Sequence, residues 1–288
     1  MEDFLSALKR CWEQRESAVL ATVVETEGST YRRAGAKSLI LNNGKFFGVL
    51  SGGCVEQDIF EHAKHVMQTG KSKWIDYDLR QDDDMPWGLG IGCNGALKIL
   101  LQLFDPVNQP EHAKTMIQIL RKPYKTTIPF ACLTVLSSDY SGISIGTQWM
   151  IEETEELWSR EGINLKPYIP HIVQLKEKGK SGIINESLLD QMGHLIQLSC
   201  FIEIVRPVSK AIIFGAGPDA VPLVHQLKFL NWHVSVVDHR PDYANHAHFP
   251  EADEIVVVPP GTFPDNMVFD KMTYAVIMTH HYQQDMTF

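Results

Sequence analysis

The sequence has little of what marks several protein classes. Its 288 residues include only 5 cysteines, an odd and sparse number that indicates reduced thiols and a cytoplasmic protein rather than a disulfide scaffold. No apolar run approaches the ~20 residues that cross a bilayer, and the first residues lack the pattern of a signal peptide. Basic residues are a minority, 26 against 35 acidic ones, so we expect neither nucleic acid nor membrane as a partner.

The composition is that of an ordinary globular protein, and the chain is long enough for two domains. We place them at residues 1–207 and 208–288. The first domain opens with an amphipathic helix, continues through a hairpin at Asn42-Asn43-Gly44 and a helix that ends at Gly70, and is typical of an α+β fold. We expect the strands of its middle extension to lengthen the first sheet. From Ser209 onward, strands alternate with connecting segments, which predicts a Rossmann-like parallel sheet and an α/β protein overall.

The second domain carries a glycine motif in a favourable context. Gly215-Ala216-Gly217-Pro218-Asp219-Ala220 follows a strand, opens a helix and fits G-x-G-x-x-G/A. Asp238 ends the next strand about 20 residues after Gly217, where a carboxylate meets a ribose hydroxyl in dinucleotide-binding folds. Gly215, Gly217 and Asp238 therefore predict a nucleotide site, with NAD preferred over NADP because a carboxylate repels a 2′-phosphate. The alternative is a Rossmann-like domain whose site is unused or holds another ligand.

Two glycine–cysteine turns lie in the first domain. We expect Cys54 in the first turn of a helix, where backbone amides and the helix dipole favour a thiolate and a bound anion. Cys93 lies in a second glycine-rich turn, and both turns could converge on one ligand or could hold packing cysteines. The candidate binding residues of the two turns are Ser51, Gly52, Gly53, Cys54, Gly92 and Cys93.

Arginine and histidine give weaker signals. Arg32 and Arg33 lie in a polar loop and suit bidentate phosphate binding, although a solvated surface loop explains them equally well. Histidines cluster after Ser209, and we interpret them as surface residues rather than as a metal site. The other three cysteines, in apolar periodic settings, are predicted to lie in the core: Cys11, Cys132 and Cys200.

These motifs, in this order, resemble the xanthine dehydrogenase accessory factor family, the XdhC/CoxI group. The matching segments include GSTYRRAGAKSLI, FFGVLSGGCVEQDI, GLGIGCNGALKILLQLF and AIIFGAGPDAVPLV. The resemblance implies a cytosolic homodimer that binds molybdenum cofactor, assists its sulfuration with a cysteine desulfurase and delivers it to a xanthine dehydrogenase-type apoenzyme. The family has glycine where this chain has Asn94, and it continues past Thr279-His280-His281-Tyr282. We therefore expect a C-terminal domain that is small or lacks its last strands.

The resulting hypothesis is a maturation chaperone rather than a catalyst, and no catalytic residue is assigned. In it, Cys54 and Cys93 contact or guard the molybdenum of the bound cofactor, and the soft thiolates suit that metal. Two alternatives stay open at this point. One is an NAD(P)-dependent oxidoreductase built on the Rossmann-like domain, and the other is a partner of a dehydrogenase that binds no cofactor.

Overall fold

A computed structural model describes residues 4–80, 95–152, 158–259, 262, 267 and 269–286. The candidate residues Gly92 and Cys93 lie outside this described part. The chain divides into two compact units. The first contains residues 1–121 and 130–205, and the second contains residues 122–129 and 206–288.

The first unit begins with a five-stranded antiparallel sheet in the order β3-β2-β1-β5-β4. The predicted opening helix, hairpin and second helix are confirmed, and Gly70 ends the second helix with a φ of 72°. The elements in chain order are α1 (Phe4–Gln14), β1 (Ala18–Gly28), β2 (Lys37–Leu41), β3 (Phe46–Phe47), α2 (Glu56–Thr69), β4 (Lys73–Asp78), β5 (Gly95–Phe104) and α3 (Pro110–Arg121).

Helices cover both faces of this sheet. The first residues of β1 are apolar, and they point alternately to the two faces. Val19, Ala21 and Val23 pack against α2, while Ala18 and Leu20 face α1 and α3. Successive side chains of a strand point to opposite faces, so the apolar first part of β1 needs an apolar partner on each face of the sheet. The sheet is thus packed on both faces, and the polar 29–36 loop joins the ends of its strands β1 and β2.

The expectation that the middle strands extend this sheet is wrong. They form a second antiparallel sheet in the order β7-β6-β9-β8, within the same unit. The elements are β6 (Phe130–Ser138), β7 (Gln148–Ile151), α4 (Ile169–Lys178), β8 (Gly182–Leu189) and β9 (Leu195–Val205). β6 is buried on both faces. Leu133 and Val135 pack beneath α4, and Leu136 joins Phe201, Val24 and Leu100 in a cluster shared with the first sheet. Stacking against the first sheet, rather than joining its edge, buries both faces of β6.

An ion pair crosses between the two sheets. The ammonium group of Lys37, on β2, lies 2.5 Å from a carboxylate oxygen of Glu203, on β9, and both side chains are largely buried. Lys37 also donates to the carbonyl of Gly35 at 3.1 Å. The end of the 29–36 loop is therefore anchored to both sheets.

The second unit contains the predicted parallel sheet. Its order is β12-β11-β10-β13, and every described pairing is parallel. The elements are β10 (Lys210–Phe214), α5 (Ala220–Phe229), β11 (His233–Asp238), β12 (Glu254–Val257), β13 (Thr273–Ile277) and α6 (Tyr282–Asp285). The α/β fold class, with an α+β part followed by a Rossmann-like sheet, is confirmed. Among the described residues, no helix combines the length and apolarity needed to span a membrane.

Candidate functional site

The structure brings the 29–36 loop of the first unit close to the turn at residues 51–55 and to Gly95, the described end of the second glycine motif. Tyr31 lies over Gly52, since a Cβ placed at Gly52 would be 3.6 Å from the Cδ2 atom of the tyrosine ring. A Cβ at Gly95 would lie 2.5 Å from the carbonyl oxygen of Glu27 and 2.8 Å from the Cγ2 atom of Thr30. The 29–36 loop is therefore bordered on one side by the turn at residues 51–55 and on the other by the start of β5.

The carboxylate of Glu56 organises the 51–55 turn. It accepts hydrogen bonds from the amides of Ser51 and Val55, both at 3.2 Å, and from the Ser51 hydroxyl at 2.5 Å. Ser51 is buried, so its side chain shapes the turn from inside. An acidic residue in the first turn of a helix is also favoured by the helix dipole. The turn predicted to bind an anion thus already holds a carboxylate of its own chain.

The expectation that Cys54 lies within the first helical turn is wrong, because α2 begins two residues later, at Glu56. The internal bonding of Glu56 to Ser51 and Val55 keeps this segment in a non-helical turn. The Cys54 thiol is exposed. Beside it, Gly53 has a φ of 103°, and a Cβ there would meet nothing within 4 Å. The turn therefore presents a free thiol next to open space.

The remaining described cysteines are buried, as predicted, and they differ chemically from Cys54. Burial raises the pKa of the Cys132 thiol to about 12, with a further contribution from the Glu203 carboxylate. Burial likewise raises the pKa of Cys200 to about 12. Both stay protonated at neutral pH. Cys11 lies on the buried face of α1, packed with residues of the first sheet. Within the described chain, Cys54 is the thiol that an external ligand can reach.

The two candidate arginines lie on the same loop as Tyr31. Both are exposed, and within the described residues their guanidinium groups form no ion pair. Backbone and hydroxyl bonds fix the loop instead: Thr30 donates to the carbonyl of Arg32 at 2.9 Å, and Ala36 donates to that of Arg33 at 3.1 Å. Arg32 and Arg33 therefore have no counterion among the described residues, and their loop borders the cysteine turn.

Sequence reasoning missed two residues of this site, Tyr31 and Glu56. No local pattern reveals Glu56, because its five-residue spacing from Ser51 differs from the three-residue spacing of a capping box. The aromatic side chain of Tyr31 is 60% exposed, although large aromatic rings are usually buried. An exposed ring lying against Gly52 is a signal that becomes visible only when the positions of the turn and the loop are both known.

In the second unit, the backbone of the glycine motif is closely packed against neighbouring segments. Gly215 has a φ of 117°, and a Cβ there would collide with the backbone carbonyl of Met278. The Asp238 carboxylate accepts the amide of Ala216 at 2.7 Å and the Arg240 guanidinium at 2.8 and 3.0 Å. Burial alone would raise the pKa of Asp238, but hydrogen bonds from Arg240 and Ala216 outweigh it and lower the pKa to about 2.

A small cavity lies at the carboxyl ends of these strands, lined in part by Gly215, Asp238, Arg240 and Thr279. Gly217 follows in the same turn, and its carbonyl accepts the amide of Ala220 at 3.0 Å. Both oxygens of Asp238 are engaged by protein donors, in place of the ribose hydroxyls that the sequence predicted. The position matches the ligand crevice of doubly wound folds, but its carboxylate is satisfied internally.

Two histidines of the second unit that follow strands pair with carboxylates. His280 Nε2 lies 2.7 Å from Asp219, and His239 Nδ1 lies 3.3 Å from Asp238. Across the described ranges, no three histidine, cysteine, aspartate or glutamate side chains are grouped so as to hold a metal ion.

Comparison with known proteins covers both units. Residues 11–78 match the XdhC and CoxI family, and residues 211–288 match the XdhC Rossmann domain. A Bacillus subtilis (strain 168) protein, described as a probable subunit of xanthine dehydrogenase, is 33% identical over 288 residues, covering 100% of this chain and 79% of that protein. The Escherichia coli (strain K12) "Molybdenum cofactor insertion chaperone PaoD" is 32% identical over 87 residues, 30% of this chain and 26% of that protein.

The fold is also found in a solved structure. A crystal structure of a xanthine dehydrogenase from Bacillus halodurans matches with a TM-score of 0.69 and 29% identity, covering 98% of this chain and 76% of that one. The similarity to the Bacillus subtilis protein extends over the full described fold, and the family matches fall on the sheet that carries the cysteine turn and on the Rossmann-like unit. The chain therefore belongs to the XdhC and CoxI family, as the order of its motifs predicted.

Proposed function

We propose that this chain is an accessory protein of xanthine dehydrogenase-type hydroxylases, which binds molybdenum cofactor and helps to insert it into the apoenzyme. The named roles of the Escherichia coli and Bacillus subtilis relatives support the class of client and cargo. The observation that carries the proposal is the contact between two segments of the first unit: Tyr31, next to Arg32 and Arg33, lies against Gly52 in the turn that presents the exposed Cys54 thiol.

The chemistry of the cargo fits these groups. Molybdopterin has a phosphate at one end and a dithiolene-bound metal at the other. Arg32 and Arg33 suit the phosphate, because a guanidinium can bind it bidentately. The Cys54 sulfur suits the metal end, and the missing side chain at Gly53 leaves room for approach. The 51–55 amides do not serve the phosphate in this arrangement, because Glu56 holds two of them.

Cys93 is proposed as the second thiol at the metal end, with Gly92 shaping its turn. In the sequence, Cys93 precedes Gly95 by two residues, and Gly95 borders the 29–36 loop. The finer steps belong to the same proposal: sulfuration of the cofactor with a cysteine desulfurase, and action as a homodimer in the cytoplasm. Gly215, Gly217 and Asp238 are proposed to form a separate site in the second unit, for a nucleotide or part of the cofactor.

The decisive experiment expresses the chain beside a client hydroxylase. Cys54→Ser, Cys93→Ser and the double variant should fold normally, since serine is nearly isosteric, and should lower the client's molybdenum content, terminal sulfide and activity. Cys132→Ser provides the matched control of a buried thiol, with its folding verified by circular dichroism. Full activation of the client by the double variant would remove the thiol role.

The arginines are tested separately by direct binding. The protein is purified without oxygen, and its bound molybdenum and pterin are measured. Arg32→Gln with Arg33→Gln should lower the bound pterin, whereas Arg15→Gln, an exposed arginine of the same unit, should leave it unchanged. Equal pterin content in both variants would contradict a phosphate-binding role for the loop.

A further inference from the structure

The turn between β8 and β9 is apolar, although it faces solvent. Leu189 ends β8 and Leu195 begins β9; the two residues pair directly across the hairpin and are 48% and 63% exposed. Met192, at the apex of the turn between them, is 83% exposed. Single exposed apolar side chains are normal on a protein surface, whereas neighbouring ones mark an interaction surface. Together these three residues form the hairpin tip.

The packing of the first unit does not require apolar side chains at this end of the hairpin. Alternation along β8 and β9 places Leu189 and Leu195 on the sheet face that, further along, packs Phe201 against the first sheet. Between them, the same face has the exposed pair Ser187 and Gln197, whose side chains are hydrogen-bonded at 3.0 Å. A polar pair therefore separates the hairpin tip from the core.

The buried carboxylate of Asp190 holds the turn in place. One of its oxygens accepts the backbone amides of Met192 and His194, both at 2.8 Å, and the other lies 3.0 Å from the Nδ1 atom of His194. Gly193 has a φ of 82°, which glycine adopts without strain, and it completes a three-residue hairpin loop. Because the turn is already ordered, little conformational entropy is lost when Met192 binds a partner.

The shape, charge and size of the hairpin tip indicate the kind of partner. A convex tip does not enclose a small molecule, and it fits a concave apolar pocket on another protein. From Glu186 to Leu198 the chain has no lysine or arginine, so the hairpin lacks the cations that attract an anionic membrane surface. Three side chains offer roughly a few hundred Å², less than the ~800 Å² per partner of a stable interface, so this contact alone does not hold two copies of the chain together.

We propose that the hairpin tip docks transiently into an uncharged apolar pocket on the client apoenzyme. The identity of the partner rests on the proposed function, whereas the docking surface uses none of the residues of the candidate cofactor site. The flexible side chain of Met192 adapts to an apolar pocket, and the paired leucines exclude water around it. A contact of this size also allows an accessory protein to leave its client after delivery.

Two other occupants are tested with the chain alone, and neither is expected to bind. If sedimentation equilibrium shows self-association that Met192→Ser with Leu195→Ser abolishes, the hairpin tip joins two copies of the chain and the proposal is overturned. If the chain floats with vesicles of phosphatidylcholine and phosphatidylserine, and the same double variant does not, the hairpin tip contacts a membrane and the proposal is likewise overturned.

The main measurement is biolayer interferometry of the whole chain with the molybdenum-free apoenzyme of the client hydroxylase. Met192→Ser with Leu195→Ser should weaken the affinity by about tenfold or more, as expected when a hot spot is removed. The concentration of the chain that gives half-maximal activation of the client should rise by the same factor, while the pterin bound to the chain should not change. Val107→Ser is the matched control, because Val107 is also an exposed apolar residue of the first unit.

The outcomes separate this proposal from the proposed function. If the double variant binds and activates the client as well as Val107→Ser does, the docking role of the hairpin tip is overturned and the proposed function stands. If the unsubstituted chain neither binds nor activates the client, the proposed function fails and the docking proposal fails with it.

Discussion

The ion pair between Lys37 and Glu203 should hold the two sheets of the first unit together. The side chains are 16% and 14% exposed, and the two groups lie 2.5 Å apart. Replacing one member leaves the other charge in a poorly solvated position without its partner. Removing one partner of a buried ion pair typically destabilises a protein by about 3–5 kcal/mol. Because both side chains retain some exposure, we expect about 3 kcal/mol for Glu203→Gln or Lys37→Met.

Tryptophan fluorescence during urea unfolding measures this loss. Five of the six tryptophans fall within the residue ranges of the first unit, so the signal reports mainly on that unit. A loss of about 3 kcal/mol corresponds to a fall in melting temperature of about 6–12 °C for a unit of this size. Lys64→Met, whose ammonium pairs with Glu61 at an exposed position, is the control and should cost less than about 1 kcal/mol.

The double variant Lys37→Met with Glu203→Gln closes a double-mutant cycle, which measures the coupling between the two side chains. If the pair acts as a unit, the double variant should be more stable than the sum of the single changes predicts, since no unpaired charge remains. The same pair anchors the end of the arginine loop, because Lys37 also bonds to Gly35. Strict additivity of the two single changes, or a loss no larger than that of Lys64→Met, would refute this reasoning.

Three further outcomes test other parts of the structure. In a Cys93→Ser background, one thiol, that of Cys54, should react with a thiol reagent under native conditions, and denaturation should release the three buried ones; more than one reactive thiol before denaturation would contradict the buried positions. The lowered pKa of Asp238 should stabilise the second unit by about 2 kcal/mol above pH 4, and this should be lost as the pH falls towards 2. Asp238→Asn should lack that acid dependence in circular dichroism titrations, and an unchanged acid transition would argue against it. Gly215→Ala should destabilise the second unit by about 3 kcal/mol, because it combines a positive φ with a clash against the Met278 carbonyl, and a melting temperature equal to the unsubstituted chain's would be the contrary result.

Local patterns predicted most elements whose signal lies within one segment. The apolar spacing of residues 4–12 identifies α1, Asn42-Asn43-Gly44 marks the first hairpin, and Gly70 marks the end of α2. The parallel sheet of the second unit followed from strands that alternate with connecting segments and from the glycine motif after β10. In each case the information is local, because turn chemistry and periodicity act over a few residues.

The middle of the chain could not be assigned in the same way. β8 has a polar and mixed sequence, GIINESLL, and is stabilised by its pairing with β9 rather than by its own alternation. α4 contains a proline in its first turn, and only one of its residues is fully buried. Whether β6 extends one sheet or begins another depends on its pairing with strands distant in the sequence. A short segment of sequence does not reveal that pairing. The second sheet is therefore a property of the folded unit.

In the candidate site, too, contacts between distant residues could not be predicted from local sequence. A glycine turn before a helix predicts an anion site only when its amides are free. Here two carboxylates of the chain itself take that place, Glu56 in the first unit and Asp238 in the second. Under the proposed function, an anionic cargo must then be recognised by side chains, and in the first unit we expect Arg32 and Arg33 to do so. In the second unit, a dinucleotide could bind Asp238 only by displacing Arg240 from it. We therefore predict that Arg32 and Arg33, which form no ion pair with a described residue, bind a phosphate more readily than the glycine turns do.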